Sequence, residues 1–307
     1  MERKNNNPLS SRVFNRVHKL VIDKNAKSLY KTIWLETNKL KKSKDVKVAV
    51  IIHLYYVDLW PSFRKKLEKL TNINYDLFVT IPEGQAETTQ DIKKFCKGAN
   101  VYTVPNIGRD VLPFIFLSNS ILHLDYTSLL KLHSKKSTHR EDGNEWLSGM
   151  LNTLLPENKK VLKVILTKLE DPNTGIIGPE KQYISLPVNY DANSKHIESI
   201  IMKLFDKETS KKVSENRSDY GFFAGTMFWA RFDALDSILK LNLKVSDFEP
   251  ERGQIDGTLP HALERVFTLN SELLGKNIYE AKKNSAIKLK YKTNNIPEWS
   301  ELYRNKE

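Results

Sequence analysis

Cysteine is almost absent from this chain: Cys96 is the single thiol in 307 residues. One thiol excludes an intramolecular disulfide and any zinc site built from several cysteines, so the sequence favours a reducing compartment. Cys96 follows the helix-like stretch Asp91–Phe95, and we interpret it as a small buried apolar residue.

Long apolar runs are also missing. The longest, Val48–Val57, spans about ten residues and includes His53, which is too short to cross a bilayer. The segment Met1–Asn7 lacks the apolar core of a signal peptide. These absences predict a cytoplasmic protein, whose contact with the inner face of the plasma membrane would be peripheral.

Nucleotide-binding fingerprints are absent as well. The chain has neither a P-loop nor a Gly-x-Gly-x-x-Gly motif, which argues against kinases and dehydrogenases. The net charge of +12 can attract nucleic acid, anionic lipid or a phosphorylated substrate. Because no zinc-finger, RNA-binding or helix-turn-helix signature accompanies this charge, we do not expect a nucleic-acid partner.

From Lys47 onwards, buried-type apolar runs alternate with amphipathic stretches. The predicted strands are Val48–Leu54, Tyr75–Ile81, Asn100–Val104, Ser128–His133, Gly175–Gly178 and Gly221–Arg231. The predicted helices are Leu59–Leu70, Thr88–Lys97, Val111–Leu122, Trp146–Leu169 and Leu259–Thr268. The alternation predicts an α/β, Rossmann-like fold with a mixed, mainly parallel sheet and helices on both faces.

This single domain is expected at residues 46–275, between a basic helical extension at residues 1–45 and a basic tail at residues 276–307. In the extension, Val17–Leu40 has apolar residues at helical spacing between lysines. Such a helix either lies on an anionic membrane surface or packs on the main domain, and the sequence leaves both open.

The turn after the third predicted strand carries the first candidate site, Asn106–Asp110. It opens a helix, where backbone amides attract a phosphate or a sugar hydroxyl. Gly108 permits a tight turn or close approach of a ligand, Arg109 supplies a fixed cation, and Asp110 supplies an acceptor. The alternative is a helix cap with a solvated salt bridge.

A basic loop follows the fourth predicted strand. His133, Lys135, Lys136 and His139 cluster there, where a parallel sheet binds its ligands. Such cations could neutralise a diphosphate directly. The alternative is an exposed, charged loop without a ligand. The two histidines have no cysteine or well-spaced acid beside them, so we predict no metal site here.

The predicted strand Gly221–Arg231 contains Gly225, which leaves room for a ligand beside the backbone. Its aromatic residues suit the apolar face of a sugar, but core packing accounts equally for Phe222, Phe228 and Trp229.

The last candidate segment leads into the helix at Leu259. We predict Asp256 as a catalytic base, with Glu251 next in order, because sugar transfer needs a carboxylate to accept a proton. His261 and Arg265 lie four residues apart, share one helix face and are predicted to meet the diphosphate. Glu264 is interpreted as structural, and the alternative for Asp256 is a helix cap.

Taken together, these segments resemble the rhamnan synthesis protein F family of bacterial polysaccharide enzymes. The similarity runs through Val48–Tyr56, Tyr75–Thr80, Asn106–Phe114, Lys131–Ser137, Gly225–Arg231 and Gln254–Arg265. It implies a glycosyltransferase of GT-A type, associated with rhamnose-containing cell-wall polysaccharides and O-antigens.

Within the resemblance, Asn106-x-Gly108 is similar to the Asn-x-Gly of inverting GT-A enzymes, and Asp256 falls where their late catalytic acid lies. Their metal-binding Asp-x-Asp is missing after the fourth strand. We therefore expect no divalent metal and no other cofactor.

Three hypotheses follow. The first is a metal-independent inverting glycosyltransferase with a nucleotide-diphosphate sugar as donor, dTDP-rhamnose or a similar compound by resemblance, and a lipid-linked glycan as acceptor. The second is a non-catalytic basic module that binds polyanionic glycan, lipid or nucleic acid, which predicts steeply salt-dependent binding without turnover. The third is a sugar-phosphate-modifying enzyme of another reaction class.

Overall fold

A computed structural model of the chain describes residues 24–42, 45–70, 73–136, 143–188, 190–282 and 286–288. Its strands are β1 Val48–His53, β2 Tyr75–Ile81, β3 Asn100–Thr103, β4 Ser128–His133, β5 Thr174–Pro179, β6 Tyr183–Ser185, β7 Gly221–Phe223, β8 Phe228–Arg231, β9 Asn277–Ala281 and β10 Ala286–Lys288. Residues 24–37 are helical and are called α1. The other helices are α2 Trp60–Leu67, α3 Ala86–Phe95, α4 Val111–Ser120, α5 Gly143–Leu154, α6 Lys159–Glu170, α7 Tyr190–Leu204, α8 Lys207–Glu215, α9 Asp236–Leu239 and α10 Leu259–Leu273.

One eight-stranded sheet forms the centre of the fold, in the order β10-β9-β5-β8-β4-β1-β2-β3. Strands β4, β1, β2 and β3 are parallel neighbours, while β8 runs antiparallel to both β4 and β5. In the register of β1 and β4, His53 is the partner of His133, so two histidines end neighbouring strands at the same level. A separate hairpin joins β6 and β7.

The sheet is covered on both faces because its strands alternate their side chains between two cores. Ala49 and Ile51 of β1 belong to the core under α1, α4, α7 and α10. Val50 and Ile52 belong to the core under α2, α3, α5 and α6. The predicted α/β class, with a mixed, mainly parallel sheet and helices on both faces, is confirmed.

Two element predictions are wrong in detail. The predicted strand Gly221–Arg231 is two strands, β7 and β8, because the turn between them contains Gly225 at φ 87° and Thr226 at φ 47°. This left-handed backbone breaks the ladder, so β7 pairs with β6 while β8 enters the central sheet. The predicted helix Trp146–Leu169 is likewise two helices, α5 and α6, separated around Pro156.

Other elements extend past their predicted bounds or have no counterpart in the predictions. Strand β6 and helices α7 and α8 lie in a stretch without a predicted element. Strands β9 and β10 extend the sheet past Gly275, into the segment that the sequence indicates as a tail.

Helix α1 packs on the domain through Ala26, Tyr30, Ile33 and Thr37, which are all buried. This spacing of three to four residues puts them on one helix face. Residues 17–23 of the predicted helical segment lie outside the described ranges. No helix in the described ranges is both long and apolar enough to cross a membrane.

Candidate functional site

A pocket of about 410 Å³ opens at the carboxyl ends of β1 and β4. It is bounded by the loop after β1, the turn before α4, the basic loop after β4, the β7–β8 turn and the first turns of α10. Its lining residues are His53, Tyr55, Tyr56, Asn106, Arg109, Asp110, Val111, His133, Ser134, Lys135, Lys136, Gly225, Thr226, Glu251, Ile255, Pro260, His261 and Glu264.

Asp110, which lines this pocket, forms an ion pair with the buried Lys131. The Lys131 ammonium donates to Oδ2 of Asp110 at 2.5 Å, and the Thr226 hydroxyl donates to the same oxygen at 2.6 Å. Burial alone would raise the pKa of Asp110, but its interactions with His133 and Lys131 and these hydrogen bonds hold that pKa well below its ordinary range. Asp110 is therefore a fixed anion.

A chain of hydrogen bonds runs from β4 through Gly225 to α10. The Gly225 carbonyl accepts from Nε2 of His133 at 2.6 Å, and the Gly225 amide donates to Oε1 of Glu264 at 2.6 Å. A carbonyl only accepts, so the His133 proton lies on Nε2. Burial lowers the pKa of His133 to about 4, although Asp110 opposes the shift. His133 is thus neutral at neutral pH and does not supply the cation that we expected.

Burial raises the pKa of Glu264, and Lys135 and Arg265 offset the shift only in part. The half-buried Glu264 lines the pocket, so its carboxyl group is both accessible and shifted towards neutral pH. This is the property that a general base needs.

Arg109 is held by a second network. Its guanidinium contacts Glu251 in a bidentate pair at 2.8 and 3.2 Å and donates to the Gln254 carbonyl. Nη1 of Arg109 lies 2.7 Å from Nε2 of His261, and because a guanidinium only donates, Nε2 accepts. Burial is the main cause that lowers the pKa of His261 to about 4, and the positive charge of Arg109 is the second.

The basic loop contributes two lysines. Lys135 lies over the Trp146 ring, 4.4 Å from its centre, and Lys136 pairs with Asp58 at 2.5 Å. With Arg109, they are the cations of the lining, and they face the carboxylates of Asp110, Glu251 and Glu264. The pocket is thus less cationic than the basic sequence indicates. His139 lies outside the described residues.

Of the residues predicted for the site, nine line the pocket: Asn106, Arg109, Asp110, His133, Lys135, Lys136, Gly225, Glu251 and His261. Gly108 does not. It has φ 67°, and a Cβ there would lie 2.5 Å from Cβ of Leu112 and 2.7 Å from the Phe248 ring. Gly108 thus permits the tight turn and close packing, rather than close approach of a ligand.

Asp256 and Arg265 also lie outside the lining. They pair with each other at 3.0 Å, and Asp256 accepts from the Asn193 amide of α7 at 2.9 Å. The Arg265 guanidinium is buried over Phe222, 4.8 Å from the ring centre. The pair joins α10 to its preceding loop and to α7, and Oδ1 of Asp256 lies 3.9 Å from Nδ1 of the pocket-lining His261.

The sequence prediction missed Glu264, His53 and the tyrosines of the lining. A signal for Glu264 was present, since Pro260, His261 and Glu264 follow the helical spacing of one face of α10. Burial lowers the pKa of His53 to about 3, and its Nδ1 lies 2.9 Å from the Thr80 hydroxyl. Tyr55 is exposed, and its hydroxyl accepts from the Asn106 amide at 3.3 Å.

The described side chains around the pocket are not arranged for a metal ion. In the described part of the chain, no three His, Cys, Asp or Glu side chains are grouped so as to hold one. The Asp110 carboxylate accepts hydrogen bonds from Lys131 and Thr226, and Nε2 of His133 donates to the Gly225 carbonyl.

Comparison with known proteins finds similarity over most of the chain. The family model described as "Rhamnan synthesis protein F" matches residues 11–271. Two relatives from Xanthomonas campestris pv. campestris, strain B100 and a second strain, both described as "Uncharacterized protein WxcX", are 34% identical over 224 residues, or 72% of this chain. The matched part is 31% of the relatives' length, so the chain spans about a third of them.

Proposed function

The chain belongs to the rhamnan synthesis protein F family, and on that premise we propose that it is a glycosyltransferase of bacterial cell-surface polysaccharide synthesis. It transfers a sugar, with rhamnose as the first choice from the family's description, from a nucleotide-diphosphate donor to a growing, lipid-linked glycan. The GT-A class, the cytoplasmic location and inversion at the transferred carbon are parts of this proposal.

One observation carries the proposal. A half-buried carboxyl group of raised pKa, Glu264, shares a pocket with Arg109, Lys135 and Lys136 at the carboxyl edge of a parallel sheet. Ligands of open α/β sheets bind at this edge. Glycosyl transfer needs such a combination, a base for the acceptor and cations for the leaving diphosphate. A surface that only attracts polyanions needs no half-buried base.

In the proposed reaction, an acceptor hydroxyl oxygen attacks the anomeric carbon of the donor. The bond from that carbon to the diphosphate oxygen breaks, and its electron pair leaves with the diphosphate. The hydroxyl proton passes to Glu264. Arg109, Lys135 and Lys136 neutralise the diphosphate, which makes a divalent cation unnecessary.

Glu264 replaces Asp256 as our choice of base for a geometric reason. Asp256 is engaged by Arg265 and Asn193 and is not among the residues that line the pocket. Glu264 lines the pocket, accepts from the Gly225 amide and interacts with the charge of Lys135. We assign Asp256 and Arg265 the role of anchoring the loop before α10.

The decisive experiment combines a panel of nucleotide-diphosphate sugars with glycan acceptors and measures transfer by mass spectrometry. We expect turnover with at least one donor, its loss in Glu264→Gln, and substantial retention in Asp256→Asn. Circular dichroism and thermal unfolding check that both variants fold. Salt-sensitive binding of polyanions without turnover of any donor would favour the non-catalytic module.

The metal-independent part of the proposal has its own test. Transfer is expected to continue in excess chelator. Activity that is abolished by chelator and restored by manganese would contradict it and leave the transferase proposal standing.

A further inference from the structure

Helix α1 presents to solvent a face that the domain does not use. Trp34 and Leu35 are 43% and 52% exposed. Among the large exposed hydrophobic residues in the described ranges, they are the pair adjacent in sequence. Single exposed apolar residues are ordinary, but Trp34 and Leu35 stand about 100° apart around the helix axis and so flank one exposed stripe of the helix.

The same helix face is basic. Lys24, Lys27 and Lys31 are exposed at helical spacing and lead to the apolar pair. Within the ranges that the structure describes, none of the three is joined to a carboxylate by an ion pair. The face from Lys24 to Leu35 is about 16 Å long at the rise of an α-helix.

The position of α1 relates this face to the pocket. The Asn25 side chain donates to Glu83 at 3.3 Å, and Glu83 follows β2 at the carboxyl edge of the sheet. Lys42, beyond the other end of the helix, donates to the Asp125 carbonyl just before β4. The helix therefore begins at the carboxyl edge of the sheet, the edge at which the pocket opens, and runs antiparallel to the strands.

We propose that this face of α1, Lys24, Lys27, Lys31, Trp34 and Leu35, docks the protein on an anionic lipid bilayer. Trp prefers the level of the lipid headgroups, and Leu enters the acyl boundary. The lysines match the negative charge of the headgroups. The buried face of α1 stays on the domain, so docking requires no unfolding and holds the pocket edge near the membrane.

The test uses the full chain and vesicles of phosphatidylglycerol with phosphatidylcholine, compared with vesicles of phosphatidylcholine alone. Cosedimentation is expected with the anionic vesicles only and should weaken as salt increases. Because each lysine near the surface contributes about fivefold, Lys27→Gln/Lys31→Gln should weaken binding about thirtyfold. Trp34→Ser/Leu35→Ser should also weaken vesicle binding but leave the salt dependence of binding unchanged.

Matched controls come from α7 and α8. Met202 is 46% exposed, and Lys203 and Lys207 are exposed beside it. Met202→Ser and Lys203→Gln/Lys207→Gln should bind vesicles like the wild type. If circular dichroism shows that Trp34→Ser/Leu35→Ser folds poorly, Lys27→Gln/Lys31→Gln still tests the proposal, because both lysines are exposed.

Three outcomes overturn the proposal. One is no binding to anionic vesicles, and another is equal loss of binding in the α1 variants and the controls. The third is that the face serves another partner: a single-stranded RNA bound as tightly as the vesicles, or a dimer in sedimentation velocity that Trp34→Ser/Leu35→Ser dissociates. Vesicle binding needs no substrate, so its failure leaves the transferase proposal untouched.

Discussion

The Lys131 ammonium and the Asp110 carboxylate lie 2.5 Å apart in a site where the lysine side chain is only 1% exposed. The lysine also donates to the Thr226 carbonyl at 2.8 Å and lies 5.1 Å from the centre of the Phe114 ring. The pair thus connects β4 to the start of α4 and to the β7–β8 turn. Replacing one partner of this pair by a neutral residue leaves the other partner as an unpaired buried charge.

For Lys131→Met we expect a loss of about 3–5 kcal/mol in the free energy of unfolding, because Asp110 keeps its burial but loses its partner. Urea denaturation measures this loss. Lys240→Met breaks an exposed pair with Asp236 and should cost below about 1 kcal/mol. The double variant Lys131→Met/Asp110→Asn should recover part of the loss. Equal costs for Lys131→Met and Lys240→Met would show that Lys131 is not desolvated.

Glu251 pairs with the guanidinium of Arg109, which we propose binds the donor diphosphate. Partial burial would raise the pKa of Glu251, but hydrogen bonds from Arg109 and Gly253 hold it below its ordinary value, so the carboxylate is charged. Glu251→Gln should therefore strengthen the binding of inorganic pyrophosphate about fivefold, the value of a partly exposed pair. Isothermal titration calorimetry measures the change.

Glu249→Gln is the matched control for this prediction, since Glu249 accepts from the Leu259 amide and contacts His196 rather than Arg109. Arg109→Met should weaken pyrophosphate binding. An unchanged affinity in Glu251→Gln would mean that pyrophosphate does not use Arg109.

The pH dependence of transfer should report Glu264. A base acts when ionised, and burial raises the pKa of Glu264, so the acid limb of the rate profile should lie above the ordinary value for glutamate, about 4.3. Glu264→Gln should lower the rate about 10²- to 10⁴-fold and remove the limb. Asp256→Asn should keep the limb. A limb that disappears in Asp256→Asn and stays in Glu264→Gln would reverse the assignment.

Glu272 should make the protein less stable as pH rises. Burial raises the pKa of Glu272 to about 9, and the nearby Gly221 amide offsets this only in part. Between the unfolded pKa and about 9, the folded state holds a proton that the unfolded state has lost. Stability is therefore full at low pH and falls by up to about 1.4 kcal/mol for each unit of rising pH.

Glu272→Gln should flatten this dependence and raise the unfolding temperature near pH 8. Glu215→Gln on α8, whose side chain is 58% exposed, is the control and should change little. The same slope in Glu272→Gln as in the wild type would show that Glu272 is ionised in the folded protein.

Local patterns in the sequence were sufficient for much of the fold. The bounds predicted for Tyr75–Ile81 and Ser128–His133 agree with β2 and β4, because the strands of a covered parallel sheet are short, mainly apolar segments. The turn at Asn106–Asp110 was also predictable, since a strand and a helix flank a glycine there. These features depend on neighbouring residues alone.

The chemistry of the pocket depended on contacts between distant residues. The sequence predicts His133 as a cation, but burial lowers its pKa to about 4, so it is neutral at neutral pH. The sequence predicts Asp256 as a base, but in the folded chain it pairs with Arg265 and with Asn193, 63 residues away, and does not line the pocket. The sequence by itself determined the strands β1 to β4, the helices between them, and which polar residues reach the carboxyl edge of the sheet. Only the tertiary structure decided which of these residues face the pocket and carry charge, because burial and ion pairing depend on residues that meet through folding.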